Sequence, residues 1–417
     1  MAINLLSTTS RVEIPFIKVT IGEYTFGGYD KKVTGSNIDV NGVYKLQNIK
    51  YPNYIQSLNV VKINGTVNKY TLTLTYPITP NSDPNFFEKV FGSVSNTRKI
   101  IFSYGDLSVP TFLYKEEEAL ILKVNPQFDL SNSRITYTVT AQSNSTLINT
   151  ASYLFPEVVS QPSKVIENLL TDTDRGLLEI FYGMKNTALV KSNNLIPHDD
   201  ATVTLVCKKC TVLEYLNYLV SCMRPANTSS ENLLLGSKYY FVVHDDFSSK
   251  FGGPYFQIER TDKDKDVIDA YEIELGYPTA QVVMSFSIES DDEYALFYNY
   301  ANKLNDGEFI QQIDDEGNLI KVYAPVLASN NAEYKAREND KTWWTNVTEF
   351  PIKARIVLKG LLRSAQLMSY VRLNVRFYGK KHTSSGLYII TQQLDEINTN
   401  TGFKTTLSLV RVKGDLD

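Results

Sequence analysis

The sequence predicts a mainly β protein with some α, an α+β fold class. Apolar and polar residues alternate with a period of two in the last stretch of the chain, Ser385 to Val412, and again in its first third. That period is typical of strands with one buried and one solvated face. Tyr and Phe are abundant, at 27 and 20 residues, and aromatic residues of this kind favour strands.

The first section, up to about Gln142, is predicted to be a barrel or a curled sheet plugged by one helix. Its clearest strands are VNKYTLTLTY and RITYTVTA, with RKIIFSYG and ALILKV between them. The helix is expected to begin at Asp83–Pro84, with Asp as the cap, and to end near Gly92. Its buried stripe is predicted at Phe87, Val90, Phe91 and Val94. A polar linker, SNSTLINTAS, follows the last of these strands.

The middle section is predicted to mix helices and strands. Two helical patterns lie between positions 162 and 184, and a strand TVTLVCK leads into a capping box formed by Thr211 and Glu214. Further strands are expected at YYFVVH, YFQIER and VVMSFSI, followed by a hairpin FIQQIDDEGNLIKVY that turns near Gly317. A polar surface helix then delivers Trp343 and Trp344 to an interface or a core edge.

The chain is predicted to close on an antiparallel meander with one wet face. Two of its strands carry apolar residues at alternate positions: Ala354, Ile356 and Leu358, then Val371, Leu373, Val375 and Phe377. The last strand is expected to bury Phe403, Thr405, Leu407 and Leu409, with Lys404, Thr406 and Ser408 on the opposite face.

Length and charge limit the classes of function. A chain of 417 residues suggests roughly two to four domains. The formal net charge of −4 argues against nucleic-acid binding driven by bulk charge. The most apolar helical run, Val212 to Met223, is far short of the ~20 residues that cross a bilayer, and no signal sequence opens the chain. The sequence therefore predicts a protein made and kept in a cytoplasm until assembly.

Cysteines offer the one metal-like spacing in the sequence, Cys207-Lys208-Lys209-Cys210. Cys222 with His198 or His244 would complete a Cys3His zinc site. A second close pair of Cys or His is missing, and the three thiols fit a buried strand and one face of a helix. Reduced structural cysteines are therefore the favoured interpretation.

Acidic clusters are the other candidates for chemistry. His244-Asp245-Asp246 and His198-Asp199-Asp200 have the composition of a metal or general-base site, but neighbouring strand residues point to opposite faces. Asp291-Asp292-Glu293 and Asp314-Asp315-Glu316 are interpreted as turns, not as a glycosidase pair. No HExxH, GxSxG or Walker motif is present. We therefore predict a protein that is not an enzyme, with no catalytic, cofactor-binding or metal-binding residues.

The closing strands are basic, and two interpretations of their cations compete. A solvated or subunit-facing surface is favoured over a nucleic-acid face, because the acidic Asp395 and Glu396 are close in sequence. The cations are Lys353, Arg355, Lys359, Arg363, Arg372, Arg376, Lys380 and Lys381.

This ending resembles the close of bacteriophage tail hub proteins, the family that includes late-control protein D and the central hubs of contractile tails. The matching elements are a strand ending at Lys359-Gly360, a long basic strand, a short loop into Gly386-Leu387-Tyr388-Ile389-Ile390, and a Thr-rich final strand ending in Arg411. The first section is similar to the tail-tube-like barrel with which such hubs begin.

The resemblance implies two tail-tube-like antiparallel β-barrels in each chain, with mixed α/β middle domains. The first barrel would occupy residues 1–151, the middle region 152–350 would add strands and decorations to the second, and 351–417 would complete it. Three chains would form a homotrimer with six barrel modules, between a sixfold tail tube and a threefold spike.

The same resemblance implies a virion protein of the phage tail that is present in the host cytoplasm during assembly. Its expected partners are the tail tube or distal tail protein, the spike or tip protein and the tape measure protein, and DNA would pass without specific binding. The alternative is a receptor- or carbohydrate-binding β-protein of the tail, in which aromatic-rich strands and the Trp343-Trp344 pair form a sugar platform.

Overall fold

Most of the described chain is β-strand, in agreement with the predicted fold class. The computed structural model describes residues 15–27, 54–92, 99–106, 115–171, 196–223, 239–244, 255–260, 267–276, 282–290, 309–313, 319–323, 352–360, 367–398 and 402–414. Strands of the first section are β1 Pro15–Ile21, β2 Tyr24–Gly27, β3 Ile55–Ile63, β4 Lys69–Pro77, β5 Lys99–Asp106, β6 Lys115–Asp129 and β7 Arg134–Ser143. The predicted strands of this section are confirmed.

The described residues of the middle section form short strands and two helices. The helices are α2 Pro162–Thr171 and α3 Val212–Cys222, and α1 Phe86–Phe91 precedes them in the first section. The strands are β8 Ser152–Phe155, β9 Val158–Ser160, β10 Val203–Leu205, β11 Lys208–Thr211, β12 Tyr239–His244, β13 Tyr255–Arg260, β14 Val267–Leu275, β15 Val283–Ser290, β16 Phe309–Ile313 and β17 Leu319–Tyr323. The predicted strand TVTLVCK is in fact two strands, because β10 pairs with β9 and β11 pairs with β8.

The closing strands join the first section in one sheet. They are β18 Ile352–Lys359, β19 Tyr370–Phe377, β20 Lys380–Lys381, β21 Gly386–Asn398 and β22 Gly402–Gly414. The main path of this sheet runs β15-β18-β22-β21-β3-β4-β7-β6-β5-β1-β2. The predicted final hairpin is confirmed by the antiparallel pairing of β21 with β22, and β21 also pairs with β3. Pairing between described strands leaves this path open, with β15 and β2 at its ends.

Two pairings depart from the predicted antiparallel meander. Strand β18 pairs with β22, whereas β19, which follows β18 in the chain, pairs with β21. Strand β14 runs parallel to β19. The alternation of apolar residues fixes which face of a strand is buried, but it carries no information about the direction of the neighbouring strand. A strand from the middle section therefore extends the closing sheet in a way that the sequence pattern does not show.

Three apolar cores lie against these elements, and the two longest closing strands contribute to two of them. The core of the first section includes Ile397 and Phe403, from the ends of β21 and β22 that adjoin their connection. Further along the same two strands, Tyr388 and Leu409 belong to the closing core. The third core packs α2 and α3 against β10, β12 and β13. The long hairpin therefore couples the first section to the closing strands.

The first helix begins later than predicted. Its N-cap is Asn85, and no side chain bonds to the exposed N–H groups there. Asp83 instead forms a turn before the helix: its Oδ1 accepts from the N–H of Asn85 at 2.9 Å and its Oδ2 accepts from Nζ of Lys89 at 2.5 Å. Val90 and Phe91 are buried as expected, Phe87 is half-buried, and Val94 lies outside the described residues.

The predicted polar linker after β7 is a packed segment. Residues Asn144–Asn149 form a 3-10 helix in which Ile148 is buried. Ser143 and Ser145 are buried as well; the Ser143 hydroxyl oxygen accepts from the N–H of Asn68 at 3.1 Å. Because these hydroxyls find partners inside the protein, a polar sequence is compatible with burial here.

Two side chains of the closing strands differ in burial from the prediction, Phe377 and Thr406. Phe377 is 40% exposed, since it ends its strand beside a tight turn, whereas Ala354, Ile356 and Leu358 are buried as predicted. Thr406 is buried although it was placed on the wet face; its register partners are Leu394 and Val357, so it lies in an apolar row.

Candidate assembly surface

One face of the main sheet is polar from the closing strands to the first section. Residues paired across antiparallel strands share a face, so the register traces rows of side chains across the sheet. One such row consists of Lys359, Lys404, Glu396, Asn59, Thr71, Thr140 and Lys123. The next row consists of Asn398, Ser57, Thr73, Thr138 and Asn125. We call this surface the polar face.

The polar face carries both signs of charge, with Lys359 directly opposite Lys404 at one end of the first row. Lys404 Nζ lies 2.9 Å from Glu396 Oε2, and Lys353 is directly opposite Glu289 in the register of β18 and β15. Arg355 and Lys359 are exposed on the same face. Its β3, β4 and β7 part carries mainly Thr, Asn and Ser, and the cations of the two rows lie to either side of that part, Lys359 and Lys404 on β18 and β22 and Lys123 on β6.

Asp395 does not belong to this surface, contrary to the expectation that it offsets the basic strands. It is 1% exposed and lies on the core side, in the row of Thr405, Val60 and Tyr70. Its carboxylate accepts from Nε2 of Gln393 at 3.0 and 2.9 Å and from the Thr405 hydroxyl at 2.9 Å. A one-residue change of position in a strand exchanges the two faces, which explains why its neighbour Glu396 is on the polar face.

A second buried carboxylate, Glu117, holds the strands of the first section together. It is 2% exposed; its Oε2 accepts from the Tyr70 hydroxyl at 2.5 Å and its Oε1 from the Tyr104 hydroxyl at 3.1 Å. Lys62 on β3 completes the cluster as its ion-pair partner. Since donors from β3, β4 and β5 meet on one residue of β6, this cluster fixes the curvature of the sheet around its core.

Tyr104 links the two buried carboxylates. Burial raises the pKa of its phenol well above the usual range, and the negative charges of Glu117 and Asp395 raise it further. The phenol therefore remains a hydrogen-bond donor at any physiological pH. The buried carboxylates thus find hydrogen-bond donors inside the protein. Their hydrogen bonds hold the strands that carry the polar face in place.

The His198-Asp199-Asp200 triplet has a structural role that the sequence did not reveal. Asp200 is fully buried, and its Oδ2 and Oδ1 accept from the N–H and hydroxyl of Ser163, at 2.9 and 2.5 Å, in the first turn of α2. His198 Nδ1 lies 3.2 Å from the Ser163 hydroxyl and Nε2 lies 3.5 Å from Glu167. Ser163 is itself fully buried, and its hydroxyl is held by Asp200 inside the protein. The triplet anchors the start of α2.

The cysteines do not converge on a metal site. Cys207 is exposed, Cys210 is half-buried and Cys222 is buried at the end of α3. The interpretation of all three as buried is thus wrong for Cys207, because it falls between β10 and β11. Within the part of the chain that the structure describes, no group of three or more His, Cys, Asp or Glu residues is placed to hold a metal ion.

Several candidates from the sequence lie outside the described residues. These are Asp245, Asp246, Asp291, Asp292, Glu293, Asp314, Asp315, Glu316, Trp343, Trp344 and Arg363, and the side chain of His244 is also outside them. The Thr211–Glu214 capping box is confirmed, with both reciprocal bonds present at the start of α3. Among the described helices, none has the length and apolar character needed to cross a membrane.

The structure adds an exposed apolar patch at the end of β6, which the sequence did not reveal. Beyond Ile121, β6 pairs only with β7 among the described strands, while β7 stays paired with β4 down to Arg134, so one edge of β6 has no described strand beside it. Phe128 and Leu130 are 66% and 89% exposed near its end. Apolar side chains presented in this way are typical of contact surfaces between proteins. The signal in the sequence is the unusual length of β6, 15 residues.

Comparison with known proteins identifies the fold. No protein-family model matches this sequence, and no curated protein matches it either. The structure is similar to that of the 43 kDa tail protein of prophage MuSo2 from Shewanella oneidensis, with a TM-score of 0.52 and 12% sequence identity. The similarity covers 96% of this chain and 99% of that chain.

A second solved structure shows the same likeness. The tail protein from Neisseria meningitidis MC58 has a TM-score of 0.50 and 7% identity, over 95% of this chain and 96% of that chain. The two TM-scores show a shared fold over nearly the whole length of the three chains. At sequence identities this low, the likeness concerns the fold alone.

Proposed function

We propose that this protein is a structural component of a phage tail, and that it forms the central hub of the tail tip or baseplate. The observation that carries the proposal is the polar face, which continues from the first section into the closing strands across two apolar cores. The fold shared with two tail proteins over almost the full chain supports the tail as its location. In this proposal the protein acts in the virion and is present in the host cytoplasm during assembly.

The hub proposal assigns a tail-tube-like barrel module to each of two cores. The first module is assigned to residues 1–151, and Ile397 and Phe403 of the closing strands complete its core; the second combines 351–417 with β14 and β15 of the middle region, which pair with β19 and β18. Two modules in one chain present unlike edges, so contacts between chains are head-to-tail and close into a ring at a fixed number of subunits. Three chains give the six positions that match a sixfold tube to a threefold spike.

A channel for genome ejection follows from the chemistry of the polar face. Thr, Ser and Asn side chains offer no fixed charge, and the pairing of Lys404 with Glu396 reduces the net field. Tight phosphate binding relies on many cations acting together and would retain the DNA. A lining of this composition lets DNA pass without specific binding, and the role needs no enzymatic activity.

The proposed partners follow from the position of a hub. They are the tail tube or distal tail protein on one side, the spike or tip protein on the other, and the tape measure protein within the channel. The exposed apolar patch at the end of β6, with Phe128 and Leu130, is a surface suited to such contacts.

The test is the copy number and symmetry of this protein in purified particles, measured by electron microscopy with an antibody or tag label. We expect three copies in a ring on the tail axis, where the tube ends. Six copies, or a single copy at the tip, contradict the trimeric hub. Copies at the ends of lateral fibres would favour the receptor-binding alternative.

A further inference from the structure

The turn between β19 and β20 presents aromatic and basic side chains together. Tyr378 is 68% exposed and Phe377 is 40% exposed, and Arg376, Lys380 and Lys381 are exposed around them. We propose that this hairpin tip, residues 376–381, docks onto an acidic surface of a second copy of the chain. The inference rests on the trimeric hub proposed above and names a surface through which its subunits meet.

The backbone at the hairpin tip has a positive φ at Tyr378, which is unfavourable for a bulky side chain. Pairing of Phe377 with Lys380 leaves Tyr378 and Gly379 as a two-residue loop, with φ of 49° and 78°. Positive φ at both positions is the pattern of a type I′ turn, which favours Asn or Gly. A bulky Tyr at such a position is an outlier, and outliers of this kind concentrate at functional sites.

Two positive charges at the tip destabilise the hairpin locally. Arg376 and Lys381 are directly opposite each other, and like charges in that arrangement repel. Glu274 on β14 is the register neighbour of Arg376, and its Oε1 accepts from the N–H of Gly379 at 2.9 Å. A partner that supplies carboxylates relieves the repulsion between Arg376 and Lys381.

Hydrogen bonds hold the tip in one conformation before any partner arrives. The Ser385 hydroxyl bonds to both backbone groups of Val375, at 3.0 and 2.9 Å. Tyr378 donates its N–H to Leu275 O at 2.8 Å, and its ring lies so close to Gly276 that a Cβ there would be 2.6 Å away. A fixed aromatic side chain loses little conformational entropy on docking, which favours its use as an anchor.

Charge complementarity identifies the occupant as a second copy. The chain has a formal net charge of −4 although the tip contributes three positive charges, so the remainder of the molecule is more acidic than the whole. A nucleic-acid face would extend the basic area, but the other exposed cations of the described closing strands, Arg355, Lys359 and Lys404, lie on β18 and β22, where Glu289 and Glu396 accompany them. Two aromatic rings with a ring of cations suit a compact protein contact.

The experiment replaces Tyr378 by Asn in the full chain, because Asn suits the left-handed backbone and lacks the ring. Sedimentation equilibrium of wild type and Tyr378→Asn, with thermal unfolding of both, is the measurement. We expect an unfolding temperature equal to or above that of wild type, and self-association about tenfold weaker or more. Tyr378→Phe is the matched control, since it keeps the ring and should associate as wild type does.

Charge is tested separately with the triple variant Arg376→Ser, Lys380→Ser, Lys381→Ser. It should associate more weakly, and its association should depend less on salt than that of wild type. A wild-type chain that remains monomeric at all concentrations overturns a second copy as the occupant. Trimers that form equally well with Tyr378→Asn overturn this inference alone and leave the hub standing. A labelled duplex oligonucleotide that binds wild type but not Tyr378→Asn, with association unchanged, assigns the tip to nucleic acid and also overturns it.

Discussion

Glu117 connects more strands of the first section than any backbone pairing does, through Tyr70, Tyr104 and Lys62. Replacement by Gln removes the charge that Lys62 pairs with and weakens two phenol hydrogen bonds. We expect a loss of about 3 kcal/mol in the free energy of unfolding, because breaking a buried ion pair leaves the other charge without its partner. Urea unfolding followed by circular dichroism measures this loss.

The neighbouring residue provides the control. Glu118 pairs with Lys99 at 2.7 Å, but that lysine is 65% exposed. Glu118→Gln should therefore cost less than about 1 kcal/mol, as exposed ion pairs do. If the two variants lose the same stability, the Glu117 cluster is not the tie that the structure indicates.

Tyr388 makes the free energy of unfolding depend on pH in the alkaline range. Burial raises the pKa of its phenol to about 12 from the usual 10.0, and its hydroxyl donates to Ser384 O at 2.7 Å. The folded state therefore keeps the proton after the unfolded state has lost it. The contribution of the phenol is fully present below pH 10 and is lost as pH rises from about 10 to 12.

Tyr388→Phe tests this pH dependence. At neutral pH the variant should lose about 1 kcal/mol with the hydrogen bond. Between pH 10 and 12, the stability of wild type should fall more steeply, so that the difference between the two proteins shrinks. Urea unfolding at several pH values in this range provides the comparison, and a constant difference would show that Tyr388 titrates alike in both states.

At the scale of elements, the β3–β4 turn is the part of the sheet that contacts α3 and β12. Gly65 has φ of 69°, donates its N–H to Phe241 O at 2.9 Å and accepts at its O from Asn217 Nδ2 at 2.7 Å. A Cβ at this position would lie 2.3 Å from Asn217 Oδ1. The turn thus fits between α3 and β12 only without a side chain.

Gly65→Ala should destabilise the protein by about 2–3 kcal/mol, through the left-handed backbone and the displaced Asn217. Gly22→Ala is a matched control: its φ is 58° and nothing lies within 4 Å of the added Cβ, so it carries the backbone cost of about 1 kcal/mol alone. Thermal unfolding of both variants isolates the contact with α3. Equal losses would mean that the turn and the helix are not coupled.

Sequence patterns predicted elements well where local rules decide them. In β4 the residues Tyr70, Leu72 and Leu74 are buried as the alternation requires, and Thr211 caps α3 through the box that its spacing with Glu214 predicts. The start of α1 was misplaced because Asp83 has two competing uses, as a cap or as a turn residue beside Lys89. Local chemistry permits both, and tertiary contacts choose.

Long-range pairing and the candidate surface were predicted only in part. The basic closing residues were recognised, but their division between β18 and the β19–β20 tip depends on strand direction and register. The burial of Asp395 and Asp200 depends on partners far along the chain, such as Ser163 for the latter. The Tyr378-Gly379 pair after an alternating strand was a usable signal for a two-residue turn.

At the scale of the whole molecule, the closing strands β21 and β22 complete the first core. Strand β21 pairs with β3 along seven residues from Gln392 to Asn398, and Ile397 and Phe403 are buried among side chains of the first section. Without these strands, β3 would expose an edge, and the buried row through Val60 and Tyr70 would lose Asp395 and Thr405. The first core is therefore built from the first section and the closing strands together.

A fragment of residues 1–151 is accordingly expected not to fold cooperatively, although it contains all of β1 to β7. Near-ultraviolet circular dichroism and limited proteolysis of the fragment, compared with the full chain, measure this. Covalent linkage of residues 384–417 to the fragment through a flexible Gly/Ser linker should restore protection of β3 and β4, because the closing hairpin then supplies the missing edge partner and two core side chains. A fragment that already unfolds with a sharp transition and a native-like spectrum would show that the first module is autonomous. The closing hairpin would then be an addition to a finished core, and the two modules would be joined by one shared strand edge without depending on it for folding.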